Sequence, residues 1–113
     1  MLKNLTQEYI NKFNSKDLQG ISDMLSDDFY LEDPVVKHID GKNSCLNAIG
    51  DIFNSFSNLN FSAKNIYIDN KTSFIEFILI LDEKHLEGVD IIEWNDDNKI
   101  SALRAYLYEV TNG

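Results

Sequence analysis

Apolar residues recur at helical spacing in three stretches of this chain and at strand spacing in five. Across residues 2–14, Leu2, Leu5, Tyr9 and Phe13 fall on one helical stripe, with Lys3, Gln7, Asn11 and Asn14 elsewhere. Tyr9 lies within that stripe, so its ring must be buried while its hydroxyl finds a partner. Asp17 is placed to cap a second helix, whose buried face is Leu18, Ile21, Met24 and Leu25. Gly20 either weakens that helix or permits a close approach to a neighbour. The pair Asp27-Asp28 ends it. Phe29 to Asp33 then alternates as a short strand, with Phe29, Leu31 and Asp33 on one face just before Pro34, the only proline. Proline forbids helix and biases the preceding residue towards extended backbone, which fixes the direction of the Asp33 side chain.

Lys37 to Lys42 reads as a loop with a turn at Asp40-Gly41. From Ser44, the residues Cys45, Leu46, Ile49, Ile52, Phe53 and Phe56 make a third amphipathic stripe, closed by Asn54 to Asn60. The remainder reads as a four-stranded antiparallel meander over 61–69, 72–82, 86–95 and 99–110, with turns at Asn70-Lys71, Glu83 to His85, and Asp96 to Asn98. Helices first and a curled meander afterwards predict one α+β domain over 1–113, three helices packed on one face of a curved, mostly antiparallel sheet. In the third meander strand Leu86, Gly88, Asp90, Ile92 and Trp94 share the more apolar face, so Asp90 is expected to turn inwards. In the last strand Leu103, Ala105 and Leu107 point inwards, and Arg104, Tyr106 and Tyr108 outwards. The second strand is apolar on both faces, with Phe74, Glu76, Ile78 and Ile80 on one and Ile75, Phe77, Leu79 and Leu81 on the other. A sheet apolar on both sides needs two covers. The helices supply one, and a second copy of the chain, in a homodimer through the outer face, is expected to supply the other.

Charge and composition narrow the class. A formal charge of −9 and scattered basic residues argue against nucleic acid or an anionic membrane surface as a partner. Cys45 is the only cysteine, which fits a reducing compartment. With no signal-peptide core and no apolar run long enough to span a bilayer, the expected location is cytoplasmic. No pair of His or Cys residues has metal-ligand spacing, so no metal is expected. Cys45, in a helical stripe, reads as packing.

Patterning thus assigns three polar residues to apolar faces, Tyr9, Asp33 and Asp90, with Glu76 a fourth candidate. A buried carboxyl without a cationic partner is neutral near pH 7 and can donate a hydrogen bond, which fits Asp90 beside Ile92 and Trp94. Asp33, nearer a mouth formed by the 35–42 loop, suits the role of proton acceptor. Its plainer alternative is a cap on the turn before Pro34. Carboxyls whose environments push their pKa values apart mark separate acid and base roles. With Tyr9 as a second donor, the group could take a proton from carbon and hold the resulting oxygen charge.

Three segments carry a family resemblance: Tyr9 to Ile21, Leu31-Glu32-Asp33-Pro34-Val35, and Gly88-Val89-Asp90 followed by Lys99-Ile100. They resemble the ketosteroid isomerase pattern and, more broadly, the SnoaL-like and nuclear transport factor 2-like superfamily. The spacings from Tyr9 to Asp33 and from Asp90 to Lys99 match that pattern without a gap. The resemblance implies a cone-shaped fold with a deep pocket for a small molecule, no cofactor, and a dimer. By position it implies Asp33 as general base, Tyr9 as oxyanion-hole phenol and Asp90 as protonated oxyanion-hole acid.

The expected pocket wall takes Phe13 from the first helix, Phe29 and Leu31 from the short strand, and Phe53 and Phe56 from the third helix. The meander adds Phe74, Glu76 and Ile78, then Ile92 and Trp94, then Leu103 and Ala105. Glu76 departs from the isomerase pattern and suggests a substrate smaller and more polar than a steroid. Lys37 and His38 add polar groups at the entrance, where His38 is either an entrance acid or a surface imidazole. His85, the other histidine, reads as a surface group. Because relatives on this scaffold differ in activity, two other functions stay open: a non-catalytic binding or dimeric accessory protein, and a cyclase or dehydratase using Glu76 or His38.

Overall fold

The computed structural model describes residues 1–111, so Asn112 and Gly113 of the expected domain lie outside the described residues. Three helices, α1 (Leu2–Asn14), α2 (Leu18–Met24) and α3 (Lys42–Ser55), cover one face of a six-stranded sheet. Its strands are β1 (Leu25–Asp33), β2 (Lys37–Asp40), β3 (Leu59–Asp69), β4 (Thr72–Leu81), β5 (Lys84–Trp94) and β6 (Ile100–Glu109). They lie in the order β2-β1-β6-β5-β4-β3, with β1 parallel to β6 and all other neighbours antiparallel. The α+β architecture with a curved sheet is as expected.

Local chemistry sets the ends of these elements. Asp17 caps α2 by accepting a hydrogen bond from the Gly20 N–H at 2.9 Å. The β3–β4 and β4–β5 turns place Asn70 and Asp82 at positive φ, a conformation that short polar side chains tolerate. The β4–β5 turn is Asp82-Glu83 alone, so His85 lies within β5 and not in the turn. Gly88 faces Leu107 of β6, and a Cβ there would run into the Tyr106 carbonyl. Only glycine lets β6 come this close as the sheet curls.

Two expectations need correcting near Pro34. The Lys37 to Lys42 segment is not a loop: Lys37–Asp40 pairs antiparallel with β1, Tyr30 opposite Asp40 and Asp33 opposite Lys37. Four residues with one apolar member carry no alternation, so this pairing is set by the tight turn and the free edge of β1. The strand containing Asp33 also starts earlier, at Leu25, with Asp27 and Asp28 exposed where the β1–β6 register shifts.

The core lies between the helices and the inner face of the sheet. An aromatic cluster fills its centre, with ring centroids of Phe13 and Phe61 4.9 Å apart, Phe61 and Phe77 5.3 Å, and Tyr9 and Phe13 6.1 Å. Elsewhere α1 is pinned by a buried polar chain. The Trp94 indole N–H donates to Ser73 Oγ at 2.8 Å, and Ser73 and Thr6 hydroxyls meet at 2.6 Å. Thr6 donates to the Leu2 carbonyl at 2.7 Å, so the Ser73 hydroxyl must donate to Thr6 and every proton has an acceptor.

Candidate active site

Tyr9, Asp33 and Asp90 arrive from three elements at one cavity of about 80 Å³ between α1, α3 and the sheet. Helical spacing puts Tyr9 on the same face of α1 as Phe13. Asp90 enters because β5 alternates, and its cross-strand partners Ile75 and Ala105 share its side of the sheet. Asp33 ends β1 at the rim, adjacent to Ala105 of β6. Phe13, Leu31, Phe61, Phe77 and Leu103 form much of an otherwise apolar wall.

Tyr9 and Asp90 are 3% and 5% exposed, and among the described residues neither side chain finds a hydrogen-bond partner in the protein. Burial, followed by the nearby charge of Asp33, raises the Asp90 pKa to about 7. Burial, and then the charge of Asp90, holds the Tyr9 phenol well above its ordinary range. Both groups therefore carry protons to donate below neutral pH. Asp33 is half-buried, and its Oδ1 accepts from the Val35 and Val36 N–H groups, each at 2.7 Å. Oδ2 takes no part in that turn. Asp33 is thus the turn cap and, at the same time, a lining residue of the cavity.

The structure brings Tyr9, Phe13, Leu31, Asp33, Asp90, Leu103 and Ala105 to the cavity. It does not bring Phe74, Glu76 or Ile78. Because Ile75 faces Asp90 and Phe77 faces Gly88, the inner members of β4 are the odd-numbered ones. Glu76 lies on the outer face, where its carboxylate accepts from Asn65 Nδ2 at 2.7 Å. Phe29, Ile92 and Trp94 are buried in the core beyond the cavity wall. Phe53 packs edge-on against Phe13 at 5.1 Å, behind the wall, and Phe56 lies under the Lys84 ammonium at 5.9 Å. His38 is on β2, outside the cavity, with both ring nitrogens on carboxylates, and lines a neighbouring concavity that shares Asp33 and Ala105 with it.

Sequence reasoning missed Ile49, Ile52, Phe61, Phe77 and Leu79, which line the cavity together with Leu107. Leu107 shared the face already assigned to Leu103 and Ala105. Ile49 and Ile52 were visible in the α3 stripe, but periodicity alone does not rank one member above its neighbours. Phe77 and Leu79 needed the pairing register with β5.

A wider concavity of about 680 Å³ opens between Asp23, Ser26, Asp27, Asp28, Lys42, Asp97 and Lys99. It is open and acid-dominated, with Lys99 donating to the Asp23 carbonyl at 2.6 Å, and neither Tyr9 nor Asp90 lines it. Among the described residues no cluster of three or more His, Cys, Asp or Glu could hold a metal ion. Nor, among them, is any helix long and apolar enough to cross a membrane.

Comparison with known proteins agrees with this geometry at the level of fold. No curated protein matches the chain by sequence. A protein of unknown function from Cytophaga hutchinsonii, described as NTF2-like, superposes with TM-score 0.83 at 13% identity, covering 96% of this chain and 90% of that one. A steroid delta-isomerase from Pseudomonas aeruginosa gives 0.75 at 21% identity, covering 91% and 76%. An LEH-like epoxide hydrolase from M. tuberculosis gives 0.74 at 17% identity, covering 91% and 79%. Identities this low show a shared fold and leave chemistry to the site. The model of the SnoaL-like domain matches residues 6–103, nearly the full length, and the chain belongs to that family.

Proposed function

We propose that this domain is a cofactor-independent isomerase that moves a proton next to a carbonyl group. The observation that carries this reading is one apolar cavity holding two buried, unpartnered proton donors with a carboxylate at its rim. Asp33 Oδ2 takes the α-proton, and the C–H electron pair becomes the enolate π bond as the carbonyl pair moves to oxygen. The Tyr9 and Asp90 O–H groups hydrogen-bond that oxygen, and Asp33 returns the proton to a different carbon. A cavity of about 80 Å³ is roughly half the ~150 Å³ that holds benzene in an engineered core. It therefore takes the ketone end of a small substrate, whose remainder leaves past Asp33. With Glu76 outside, the wall near the carbonyl is apolar, and Glu76 no longer argues for a substrate more polar than a steroid.

Deuterium wash-in at the α-carbon of small cyclic ketones and enones tests the assignment. Asp33→Asn should slow exchange by about 10²–10⁴-fold, as expected on removal of a general base. Equal, slow exchange by wild type and variant on every ligand that binds would refute the base assignment.

A second reading, a ligand-binding module without turnover, draws support from Asp33, half of whose acceptor capacity serves its own turn. Tyr9 and neutral Asp90 would then grip a ligand oxygen unaided, and Asp33→Asn would leave affinity for a phenolate-like enolate mimic unchanged. A homodimer through the outer sheet face fits either reading, supported by Tyr67, Tyr106 and Tyr108, each more than half exposed there.

A further inference from the structure

The β1–β2 hairpin carries a histidine with a carboxylate at each ring nitrogen. His38 Nδ1 lies 2.7 Å from Glu32 Oε2, and Nε2 lies 2.9 Å from Asp40 Oδ1. An ionised carboxylate only accepts, so both nitrogens must donate, and an imidazole that donates twice is an imidazolium. The ring also stacks on Tyr30, centroids 5.2 Å apart and planes at 27°, while the Tyr30 hydroxyl accepts from Arg104 Nη1 at 3.0 Å.

This cluster lies one residue from Asp33. Glu32 stands directly opposite His38, and Asp33 opposite Lys37, across a turn of Pro34, Val35 and Val36. β2 is an edge strand of four residues, of which only Ile39 is even half-buried, so little apolar contact holds it. Its far end is tied by the Gly41 N–H to the Phe29 carbonyl at 2.8 Å and by Cys45 Sγ on the Ile39 carbonyl at 3.3 Å. At the near end the side-chain clamp is the histidine between two acids.

Building on the proton-transfer reading, we propose that His38 is a positioning residue for Asp33. As an imidazolium it ties Glu32 to Asp40, holds the hairpin in the register that aims Asp33 at the cavity, and relaxes that register on losing its proton. The groups facing it are Glu32 and Tyr30 on β1, Asp40 and Lys37 on β2, Asp33 at the turn and Arg104 on β6, with Cys45 of α3 across the strand. The hydrogen bonds to Glu32 and then to Asp40 raise the His38 pKa above the ordinary imidazole value. The clamp is therefore complete below about pH 6.5 and is lost as pH rises through the raised value.

The test is an amide NMR titration of the intact protein from pH 5 to 9, following the His38 ring beside the Val35 and Val36 N–H groups that hold Asp33. Both amides should move with the His38 midpoint. In His38→Gln that step should vanish, and in His38→Arg, a permanent cation, the low-pH positions should persist throughout. With a small ketone, His38→Gln at pH 6 should lower kcat by about two- to fivefold, the range of an exposed ion pair, with KM unchanged and His38→Arg restoring it. A step that survives in His38→Gln would belong to Asp90 and would overturn the proposal, as would amides that ignore the His38 midpoint. If the amides follow His38 while wild type exchanges no ketone, the clamp stands and the isomerase reading falls.

Discussion

The two faces of β5 carry the same side-chain chemistry to opposite ends. Glu87 and Glu93 point outwards, Asp90 inwards, all on one strand. Glu87 meets Lys64 at 3.0 Å, and Glu93 meets Arg104 at 2.8 Å with Thr72 donating at 2.9 Å. These partners lower both glutamate pKa values. Asp90, buried with no hydrogen-bonding partner among the described residues and near the charge of Asp33, goes the other way. A carboxyl group's role is set by the side of the sheet it falls on, because alternation decides whether it meets a cation or a hydrophobic wall.

The contrast is open to attack in order of expected effect. The largest lies in stability against pH. Asp90 has a folded pKa of about 7 against an ordinary 3.8, so the unfolded chain releases this proton first and stability falls between those values as pH rises. Integrated over that window the loss is about 4 kcal/mol at 1.36 kcal/mol per unit. Urea melts at pH 4 and pH 8 should show Asp90→Asn gaining on wild type by that order; parallel curves would mean that Asp90 ionises freely.

Next comes rate. Asp90→Leu, which removes the donor that asparagine would keep, should slow α-proton exchange by about 10²–10³-fold, the usual cost of one oxyanion donor, and remove the activity decline above pH 7. An unchanged rate would move the oxyanion hole elsewhere. The smallest effect belongs to the outer face. Glu93→Gln should cost about 0.2–1 kcal/mol, leave exchange untouched, and show the opposite pH sign. Its folded pKa is lowered, so the Glu93 contribution is present above the unfolded value and lost as pH falls through the folded one. A Glu93 variant as sensitive as Asp90→Asn would erase the difference between the faces.

Much of this was legible in the chain, and the failures have physical causes. The α1 stripe, the Asp17 cap and the alternation of β5 and β6 each depend on neighbours in sequence, and each is found as expected. The inward turn of Asp90 follows from that alternation alone. Glu76 was misplaced because Phe74 to Leu81 is apolar at nearly every position, so both faces look alike until the register with Asp90 is known. The β2 strand was unreadable because Lys37–Asp40 is defined by what it pairs with. Tyr9 and Asp33 were traceable from family spacing and local pattern, but Ile49 and Ile52 enter the cavity only through the packing of α3 on the sheet.

Gly88 has a bearing on redesign. Since the Tyr106 carbonyl and Leu107 occupy the space where any side chain would go, position 88 accepts no larger residue unless β5 and β6 part. Room for bulkier guests is to be sought on the helix side, by trimming Ile49 and Ile52, with the close approach at Gly88 left as it is.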